Sequence, residues 1–328
     1  AGKFLFDPLT GDPTILALER AKRPQSFDVA VESIAVDATK KVDPFAKGNE
    51  HLTPPATYQD ADDWNVRCFA NKYPLLLDHE IIVHSPFEDK DIEDLDCAQN
   101  EKIIRAFLNR VSFYGSQGKE VIIIRAFLNR VSFYGSQGKE VIIFNNRGGK
   151  AGASLMHPHS QIVAAQGFPG EVAKEKSSAL KYYNEKNSCF WCNERNVALA
   201  AGARVVRESS HFVVYVPSAC RWSYEASLVS KNHKPNFGFI DEQEIHDLAV
   251  VLRGLLRAYD ALFDRPDRNF WIHTMQYEPY HWHMGFLPHI KVFGALELGS
   301  GIWVSDKATP EDAAAQLREK MQALCRED

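Results

Sequence analysis

The stretch HPHSQIVAA, residues 157–165, places two histidines two positions apart at the start of an apolar run. Alternate residues of an extended strand share a face, so His157 and His159 are predicted to point the same way. Pro158 lacks a backbone N–H donor, which suits an edge strand or irregular pairing. The pattern leaves two interpretations open: a pair of structural histidines, or a nucleophile with its support.

The residues around the two histidines favour the second interpretation. Upstream, FNNRGGKAGAS (residues 144–154) is rich in glycine and alanine, and such a loop lets backbone N–H groups approach an anion closely. Imidazole titrates near neutrality, so His159 is predicted to be nucleophilic at pH 7. Gln161 can donate to a phosphate oxygen as charge builds there. Together these features indicate phosphoryl or nucleotidyl transfer to histidine.

A second His-x-His, in YHWHMGFLPHI (residues 280–290), indicates internal similarity. Each half of the chain is predicted to run strand, strand, helix, strand, strand and to end on its His-x-His. We therefore expect an α+β protein with two related domains, residues 1–175 and 176–328, each a mainly antiparallel sheet with helices packed on it. The polar boundary segment is predicted to be helical. A final helix should begin with Thr309 as N-cap and Pro310 at its first position.

An exact tandem repeat interrupts the first half. The 20 residues 103–122, IIRAFLNRVSFYGSQGKEVI, recur letter for letter at 123–142. Each copy is predicted to form an amphipathic helix, a Gly-Ser-Gln-Gly turn and a short strand. One copy is enough to join the preceding loop to residue 144, so the other is predicted to be surplus.

Composition limits the classes of function. The chain has 328 residues, 45% of them hydrophobic and 25% charged, with a net charge of −5 and scattered basic residues. This balance is typical of a globular protein and argues against a nucleic-acid polymer as partner, but not against a single nucleotide. Apolar runs are too short to span a bilayer, and the first residues do not resemble a signal peptide. We therefore expect a cytoplasmic protein that does not bind membranes.

A CxxC pair, Cys189 and Cys192, is the only close pair among six cysteines. This spacing can place two thiolates on one tetrahedral ion, and His233 and His281 are the best placed remaining ligands. A redox CxxC is the alternative, although no thioredoxin-like βαβ pattern surrounds it. We predict one structural zinc site.

A basic cluster lies near the N-terminus, where Arg20 and Arg23 bracket Lys22. Its guanidinium groups could clamp a pyrophosphate, or the cluster could be a solvated surface. The spacing alone leaves both interpretations open.

Taken together, these residues resemble the galactose-1-phosphate uridylyltransferase family of the histidine triad superfamily. The resemblance covers nearly the whole chain, from DPLTGDPTILALERAKRP through HPHSQ to LELGSGIWV. It implies a ping-pong transfer in which His159 attacks the α-phosphorus of a nucleoside-diphosphate sugar, such as UDP-glucose. A sugar 1-phosphate, such as galactose 1-phosphate, then takes the nucleotide from the histidine. It also implies a homodimer.

The resemblance further implies individual roles. The carbonyl of His157 would orient His159, while Gln161 and Ser154 hold phosphate oxygens. The remaining implied contacts are Arg20 and Arg23 for the diphosphate, Asn49 and Asn71 for ribose and base, Asn146 and Gly152 on the phosphate side, Lys291 and Glu297 for the hexose, and Cys189, Cys192, His233 and His281 for zinc.

The chain departs from the family where many members carry a second, N-terminal zinc site. Asp43 and Ala46 stand where the thiolates would be, and Glu88 stands where some members have a histidine. Asp43, Glu88 and His157 are a poor donor set for zinc, so we predict that this site is lost. HPHSQ also occurs in relatives that move adenylyl groups. An adenylyltransferase or phosphorylase acting on ADP-glucose or dinucleoside polyphosphates, and a catalytically impaired nucleotide-binding relative, are therefore the alternatives.

Overall fold

A ten-stranded antiparallel sheet forms the centre of the fold, and a separate two-stranded sheet lies near the N-terminus. The computed structural model describes residues 2–8, 11–19, 42–117 and 138–324. The small sheet pairs β1 (Lys3–Phe6) with β2 (Pro13–Leu16). The strands of the large sheet are β3 (Ala56–Gln59), β4 (Arg67–Ala70), β5 (Asp78–Val83), β6 (Glu140–Arg147), β7 (His159–Ala165), β8 (Val205–Glu208), β9 (Phe212–Tyr215), β10 (Ala226–Ser230), β11 (Arg268–Thr274) and β12 (His283–Pro288).

The strand order shows that the two halves of the chain are built alike. The order is β3-β4-β5-β7-β6 in the first half, and it continues as β11-β12-β10-β9-β8 in the second. The halves join where β6 pairs with β11, in a register from Val141 opposite Thr274 to Arg147 opposite Arg268. The predicted α+β class and the internal similarity are confirmed, because corresponding strands take mirrored places in one sheet.

Six α-helices accompany the sheet in the described part of the chain. They are α1 (Cys97–Ser116), α2 (Glu171–Lys186), α3 (Phe190–Ala201), α4 (Glu242–Phe263), α5 (Ala295–Ser300) and α6 (Pro310–Leu324). The predicted start of α6 is confirmed, since the N–H of Asp312 donates to Oγ1 of Thr309 at 3.1 Å. Asp241 and Glu244 form a capping box at the start of α4.

Side-chain alternation divides the large sheet into two faces. On one, here called the helix face, Ile82, Ile162 and Ile272 pack in a single core with apolar residues of α1, α4 and α6. The opposite face carries a second core in which α2 and α3 residues pack on Val213 and Val229. Because neighbouring strand residues point to opposite faces, His159 and Gln161 lie opposite the helix face.

β7 is central in the sheet, and not an edge strand, although a proline stands before it. It begins at His159, after Pro158, and pairs with β5 on one side and β6 on the other. The missing N–H of Pro158 therefore falls outside the ladder, while its carbonyl accepts from the N–H of His84 at 3.2 Å. The two predicted domains share one sheet, and their boundary at residue 175 stays a prediction.

The tandem repeat contributes one helix and one strand to the described fold. The first copy supplies α1 from Ile103 to its end at Ser116. The last residues of the second copy supply the start of β6. The two ends meet, because the N–H groups of Gln117 and Lys139 donate to the carbonyl of Tyr114 at 3.2 and 3.3 Å. Residues 118–137 lie outside the described part of the chain. Gly138, the first described residue after this gap, is the counterpart in the second copy of Gly118 in the first copy.

Within the described residues, no helix combines the length and the apolar character needed to cross a membrane.

Deletion of residues 118–137 is expected to leave the fold intact. Gln117 would join Gly138 and restore a single copy of the repeat, and the two ends are already adjacent at the carbonyl of Tyr114. A shorter connection also slightly lowers the entropic cost of closing the loop between α1 and β6. Circular dichroism and thermal unfolding should give an unchanged spectrum and an equal or higher Tm. A deletion variant that unfolds several degrees lower would show that residues 118–137 support the described fold.

Candidate active site and metal centre

His159 opens β7 and lines a cleft on the face of the sheet opposite the helix face. The cleft walls are partly apolar, with Phe45, Phe69 and Ile81, and partly polar. The complete lining is Pro44, Phe45, Leu52, Thr53, Pro54, Phe69, Asn71, Lys72, Tyr73, Ile81, Ser154, Leu155, His159 and Gln161. Of the predicted active-site residues, this cleft therefore brings together His159, Gln161, Ser154 and Asn71.

The tautomer of His159 follows from its hydrogen bond. Nδ1 lies 2.8 Å from the carbonyl oxygen of His157, which can only accept, so Nδ1 carries the hydrogen. In the neutral ring, Nε2 then carries the lone pair, and no described residue hydrogen-bonds to it. Burial lowers the pKa of His159 to about 4, so the ring is neutral at pH 7. The arrangement presents an unprotonated imidazole nitrogen at the cleft.

His157 lies behind His159 and is buried, with acceptors at both ring nitrogens. Nδ1 lies 2.6 Å from a carboxylate oxygen of Asp43, and Nε2 lies 2.8 Å from the carbonyl oxygen of Ser85. A backbone carbonyl can only accept, so Nε2 carries hydrogen. The short contact with Asp43 holds the other ring nitrogen in place.

Asp43 also holds the loop that forms one wall of the cleft. Its second carboxylate oxygen accepts from the N–H of Phe45 at 2.9 Å, and its carbonyl accepts from Nδ2 of Asn49 at 2.8 Å. The Phe45 ring meets the rings of His157 and His159 edge-on. Partial burial opposes ionisation of Asp43, but the hydrogen bonds from His157 and Phe45 outweigh it, so its pKa lies below the ordinary value.

These residues do not fit the N-terminal zinc site of the family. A metal needs a free lone pair on His157, but both of its ring nitrogens are already engaged, Nδ1 by Asp43 and Nε2 by the carbonyl of Ser85. Glu88 is exposed and belongs to neither of the two clusters of potential ligands among the described residues. Asn49, predicted to contact ribose or base, holds Asp43 and is absent from the cleft lining.

The glycine-rich loop was predicted to bind an anion through its backbone N–H groups. The N–H groups of Gly152 and Ala153 donate to carbonyls within the loop, and the N–H of Lys150 donates to Asp267 at 2.6 Å. These three donors are already used within the protein, and the anion contact predicted for the loop stays a prediction. The loop delivers Ser154 and Leu155 to the cleft.

Asn269 on β11 fixes this loop against the sheet. Its Nδ2 donates to Oδ1 of Asn146 at 2.8 Å and to the carbonyl of Ala151 at 3.0 Å. Asn146 and Gly152 approach each other there, and Gly152 has a positive φ of 83°. Neither residue lines the cleft, so their predicted phosphate-side contacts stay predictions.

A second constellation gathers the four residues that the sequence predicted as zinc ligands. Potential ligand atoms of Cys189, Cys192, His233 and His281 all lie within 4.8 Å of one another. Sγ of Cys192 is 3.5 Å from Nδ1 of His233 and 3.4 Å from Nδ1 of His281. Tetrahedral zinc with ordinary bond lengths requires a sulfur–nitrogen separation of about 3.6 Å. The donor set therefore fits such an ion.

The surroundings of this cluster also suit a metal. Nε2 of His281 lies 2.8 Å from Oγ of Ser230, and Nε2 of His233 lies 3.0 Å from the carbonyl of Glu278, so both Nδ1 atoms face the thiols. The Cys189 thiol and then the two imidazoles hold the pKa of Cys192 far below its usual value. Cys189 is the N-cap residue of α3, and its hydrogen bond with Cys192 and then its burial raise the pKa of its thiol.

Beside this cluster, the second His-x-His repeats the local geometry of the first. Nδ1 of His283 lies 3.0 Å from the carbonyl of His281, but its Nε2 faces Glu175 at 3.5 Å. Burial opposes charge on His283, and Glu175 outweighs it and raises the pKa of the ring. Glu175, His273 and His283 also form a cluster that could hold a metal ion.

The predicted hexose contacts lie outside the His159 cleft. Nζ of Lys291 is 3.4 Å from Oε1 of Glu297, and neither residue lines the cleft. Their role stays a prediction, as do the homodimer and the cytoplasmic location. Arg20 and Arg23 lie outside the described residues.

Sequence reasoning missed three residues that organise the site. His79 contacts Gln161, Asn145 donates to the carbonyl of His159 at 2.9 Å, and Asn269 holds the glycine-rich loop. The available signal was a polar residue at a buried strand position, as at His79 in LDHEIIV, residues 77–83. That pattern indicates a buried polar contact without naming its partner.

The fold is one sheet built from two similar halves, and a histidine lies at its cleft. This combination is typical of enzymes that transfer nucleotides. Family models for the N-terminal and C-terminal domains of galactose-1-phosphate uridyl transferase match residues 77–169 and 175–323. The chain belongs to the galactose-1-phosphate uridylyltransferase family, a family of nucleotidyltransferases, as the sequence predicted.

Relatives of two named activities align with nearly the whole chain. ADP-glucose phosphorylase of Arabidopsis thaliana is 26% identical over 95% of this chain and 91% of its own. Galactose-1-phosphate uridylyltransferase of Thermotoga maritima is 25% identical over 96% of this chain and 97% of its own. A crystal structure of the Arabidopsis phosphorylase with bound ADP-glucose gives a TM-score of 0.71 at 25% identity, covering 97% of this chain and 99% of that one.

Replacing Asp43 by alanine is expected to lower the free energy of unfolding by about 1–3 kcal/mol at pH 7, because His157 loses its charged acceptor. The pKa of Asp43 is lowered in the fold. Its contribution is therefore complete above the unfolded pKa, about 3.9, and disappears as the pH falls through the lower folded value. Urea unfolding between pH 7 and pH 3 measures the difference.

Asp63→Ala is the matched control, because Asp63 is an exposed carboxylate in a surface ion pair with Lys47. It should change stability by less than about 0.5 kcal/mol. Equal effects of the two substitutions would show that the contact between Asp43 and His157 does not stabilise the fold.

Proposed function

We propose that this protein transfers a nucleoside monophosphate between hexose 1-phosphates through His159, with UDP-glucose as the donor. One observation carries the proposal. His159 donates from Nδ1 to the carbonyl of His157 and presents Nε2 to a cleft that contains Gln161 and Ser154.

In the first step, the Nε2 lone pair attacks the α-phosphorus of the nucleotide sugar. The bond from that phosphorus to the bridging oxygen breaks, and hexose 1-phosphate leaves with the electron pair. The ring becomes positive as the nitrogen–phosphorus bond forms, and the carbonyl of His157 stabilises that charge through Nδ1–H. No separate base is needed, because the ring is already neutral at pH 7.

In the second step, a phosphate oxygen of another hexose 1-phosphate attacks the same phosphorus. The nitrogen–phosphorus bond breaks and its electron pair returns to His159, which restores the neutral ring. Gln161 and Ser154 are proposed to donate to the phosphate oxygens in both steps, since both line the cleft with His159.

The composition of the cleft supports a nucleotide as the transferred group. Phe45, Phe69 and Tyr73 offer apolar and aromatic surface to a base, while Asn71 and Lys72 offer polar atoms. The Lys72 ammonium adds positive charge for the phosphates.

Phosphorolysis of ADP-glucose is the second candidate. It is favoured by the Arabidopsis relative, which aligns over nearly the whole of both chains and has been solved with ADP-glucose bound. The chemistry at His159 would be the same, with an adenylyl group carried and an inorganic phosphate as acceptor.

Incubation with UDP-glucose or with ADP-glucose, without acceptor, separates these candidates. Intact mass spectrometry should detect a covalent uridylyl adduct, and His159→Asn should abolish it while His246→Asn, on an exposed histidine, should not. An adenylyl adduct alone would replace the first candidate by the second. No adduct with either substrate would overturn both and leave a nucleotide-binding relative.

The rate of adduct formation is expected to stay constant from pH 8 to about pH 5. Only the neutral ring reacts, and burial lowers the pKa of His159 to about 4, so protonation removes the nucleophile only near that pH. Single-turnover rates measure the profile. A midpoint near 6.5, the value of free imidazole, would contradict the buried environment assigned to this ring.

We also propose that Cys189, Cys192, His233 and His281 bind one structural zinc ion. The arrangement of their donors supports it, as does the acceptor at the far nitrogen of each imidazole. Zinc bound by two thiolates and two imidazoles would crosslink the start of α3 to the segment before β12 and to the segment after β10.

Metal analysis is expected to find about one zinc per chain in the purified protein. Cys192→Ser should lose most of that zinc and unfold at a lower temperature, because metal binding contributes folding free energy. Cys220→Ser is the control, since Cys220 lies at Ser305 and outside the cluster. Equal zinc in Cys192→Ser and the unaltered protein would exclude this ligand set.

A further inference from the structure

His79 is a buried histidine on β5 that reaches the cleft residue Gln161. Its side chain is 2% exposed, and its Nε2 lies 3.0 Å from Oε1 of Gln161, although 82 residues separate the two in sequence. His79 lies opposite Val163 in the pairing of β5 with β7, and Gln161 lies opposite Ile81. Both side chains therefore project from the same face of the sheet.

Backbone donors decide which nitrogen of His79 carries hydrogen. The N–H of Leu75 donates to Nδ1 of His79 at 2.8 Å, and a backbone amide cannot accept in return. Nδ1 must therefore hold a lone pair, and the hydrogen of the neutral ring lies on Nε2. His79 thus presents a single N–H at its far end.

Two amides lie near that N–H, and only one of them can accept it. Nδ2 of Asn71 is 3.2 Å from Nε2 of His79, but Oδ1 of Asn71 already accepts from the N–H of Tyr73 at 2.8 Å. The NH2 group of Asn71 faces Nε2 of His79 and cannot accept the ring hydrogen, which therefore goes to Oε1 of Gln161.

We infer that His79 is a positioning residue that orients the amide of Gln161 for nucleotidyl transfer. By engaging Oε1, His79 leaves the NH2 group of Gln161 as the part that faces the cleft beside His159. This inference rests on the proposed function, because it assigns that NH2 group to the transferred phosphate.

The orientation matters because an amide has two chemically opposite ends. With Oε1 held by His79, two N–H donors are available for the phosphate oxygens as their charge grows. If the amide turned over, its oxygen would face those negative oxygens and repel them. His79 would thus act through Gln161, without touching the substrate.

A double-mutant cycle tests this dependence. In the single-turnover adduct assay, His79→Phe keeps the ring volume, removes the N–H, and is expected to slow the transfer about 10- to 100-fold. The Kd for UDP-glucose, or for ADP-glucose if that is the donor, should change less than about threefold. In a Gln161→Ala background, His79→Phe should slow the transfer no further. An undiminished effect in that background would overturn the inference.

A conservative variant and a control on the same strand separate positioning from stability. His79→Gln retains an N–H at the far end of the side chain and should recover part of the rate lost in His79→Phe. Ile82→Ala creates a cavity on the helix face of β5 and should lower Tm with little change in the transfer rate. Equal rates for His79→Gln and His79→Phe, or a loss in Ile82→Ala that matches theirs, would contradict a positioning role.

The tautomer of His79 is a readout that does not require activity. Long-range proton–nitrogen NMR spectra at pH 7 should show the ring of His79 protonated at Nε2 alone. A ring protonated at Nδ1 overturns the inference even if adducts form. An absent adduct in the unaltered protein, with the expected tautomer, would instead overturn the proposed function and the role in transfer while confirming the hydrogen-bond chain.

Discussion

A fully buried guanidinium holds the two halves of the sheet together at the strand pair that joins them. Arg268, the first residue of β11, is 1% exposed and lies 3.1 Å from Asp91 and 2.5 Å from Glu93. Burial opposes ionisation of Asp91, but Arg268 and then His84 outweigh it and hold its pKa far below the usual value. An unpaired charge at this depth would be strongly destabilising, so these partners must fold together. Because Arg268 comes from the second half and both carboxylates from the first, neither half satisfies this centre alone.

The active site depends on the same centre through one side chain. Asn145 accepts from Arg268 at 2.9 Å and donates to the carbonyl of His159 at 2.9 Å. Ser160, next to the proposed nucleophile, lies on the helix face, where its Oγ is 2.8 Å from Nε2 of His84. The backbone of His159 is thus tied to the ionic centre on one face of β7, while its ring projects into the cleft on the other. Because side chains alternate between the two faces of β7, the polar contacts that stabilise the fold lie on one face. The groups proposed to react with substrate lie on the other.

The two His-x-His segments show how surroundings decide what one local geometry can do. His159 and His283 each donate from Nδ1 to the carbonyl two residues before them. Around His159, burial lowers the pKa and leaves a lone pair at a cleft. Around His283, Glu175 raises the pKa, and the ring of Trp191 stacks on the imidazole. A repeated sequence pattern therefore predicts a repeated backbone arrangement, but not a repeated chemical role.

The sequence by itself determined the elements of this protein, because alternation, helical periodicity and capping are local properties. It predicted four of the five large-sheet strands in each half and the helix between them, without β3 and β8, together with the Thr309 cap of the last helix and the donor set at Cys189 and Cys192. Tertiary structure alone decided the contacts between elements, such as Asp43 with His157 across 114 residues and His79 with Gln161 across 82. It also paired three N–H groups of the glycine-rich loop with acceptors inside the protein. The physical reason is that a buried polar group must find a partner, and the partner is whichever residue the packed sheet brings within hydrogen-bonding distance.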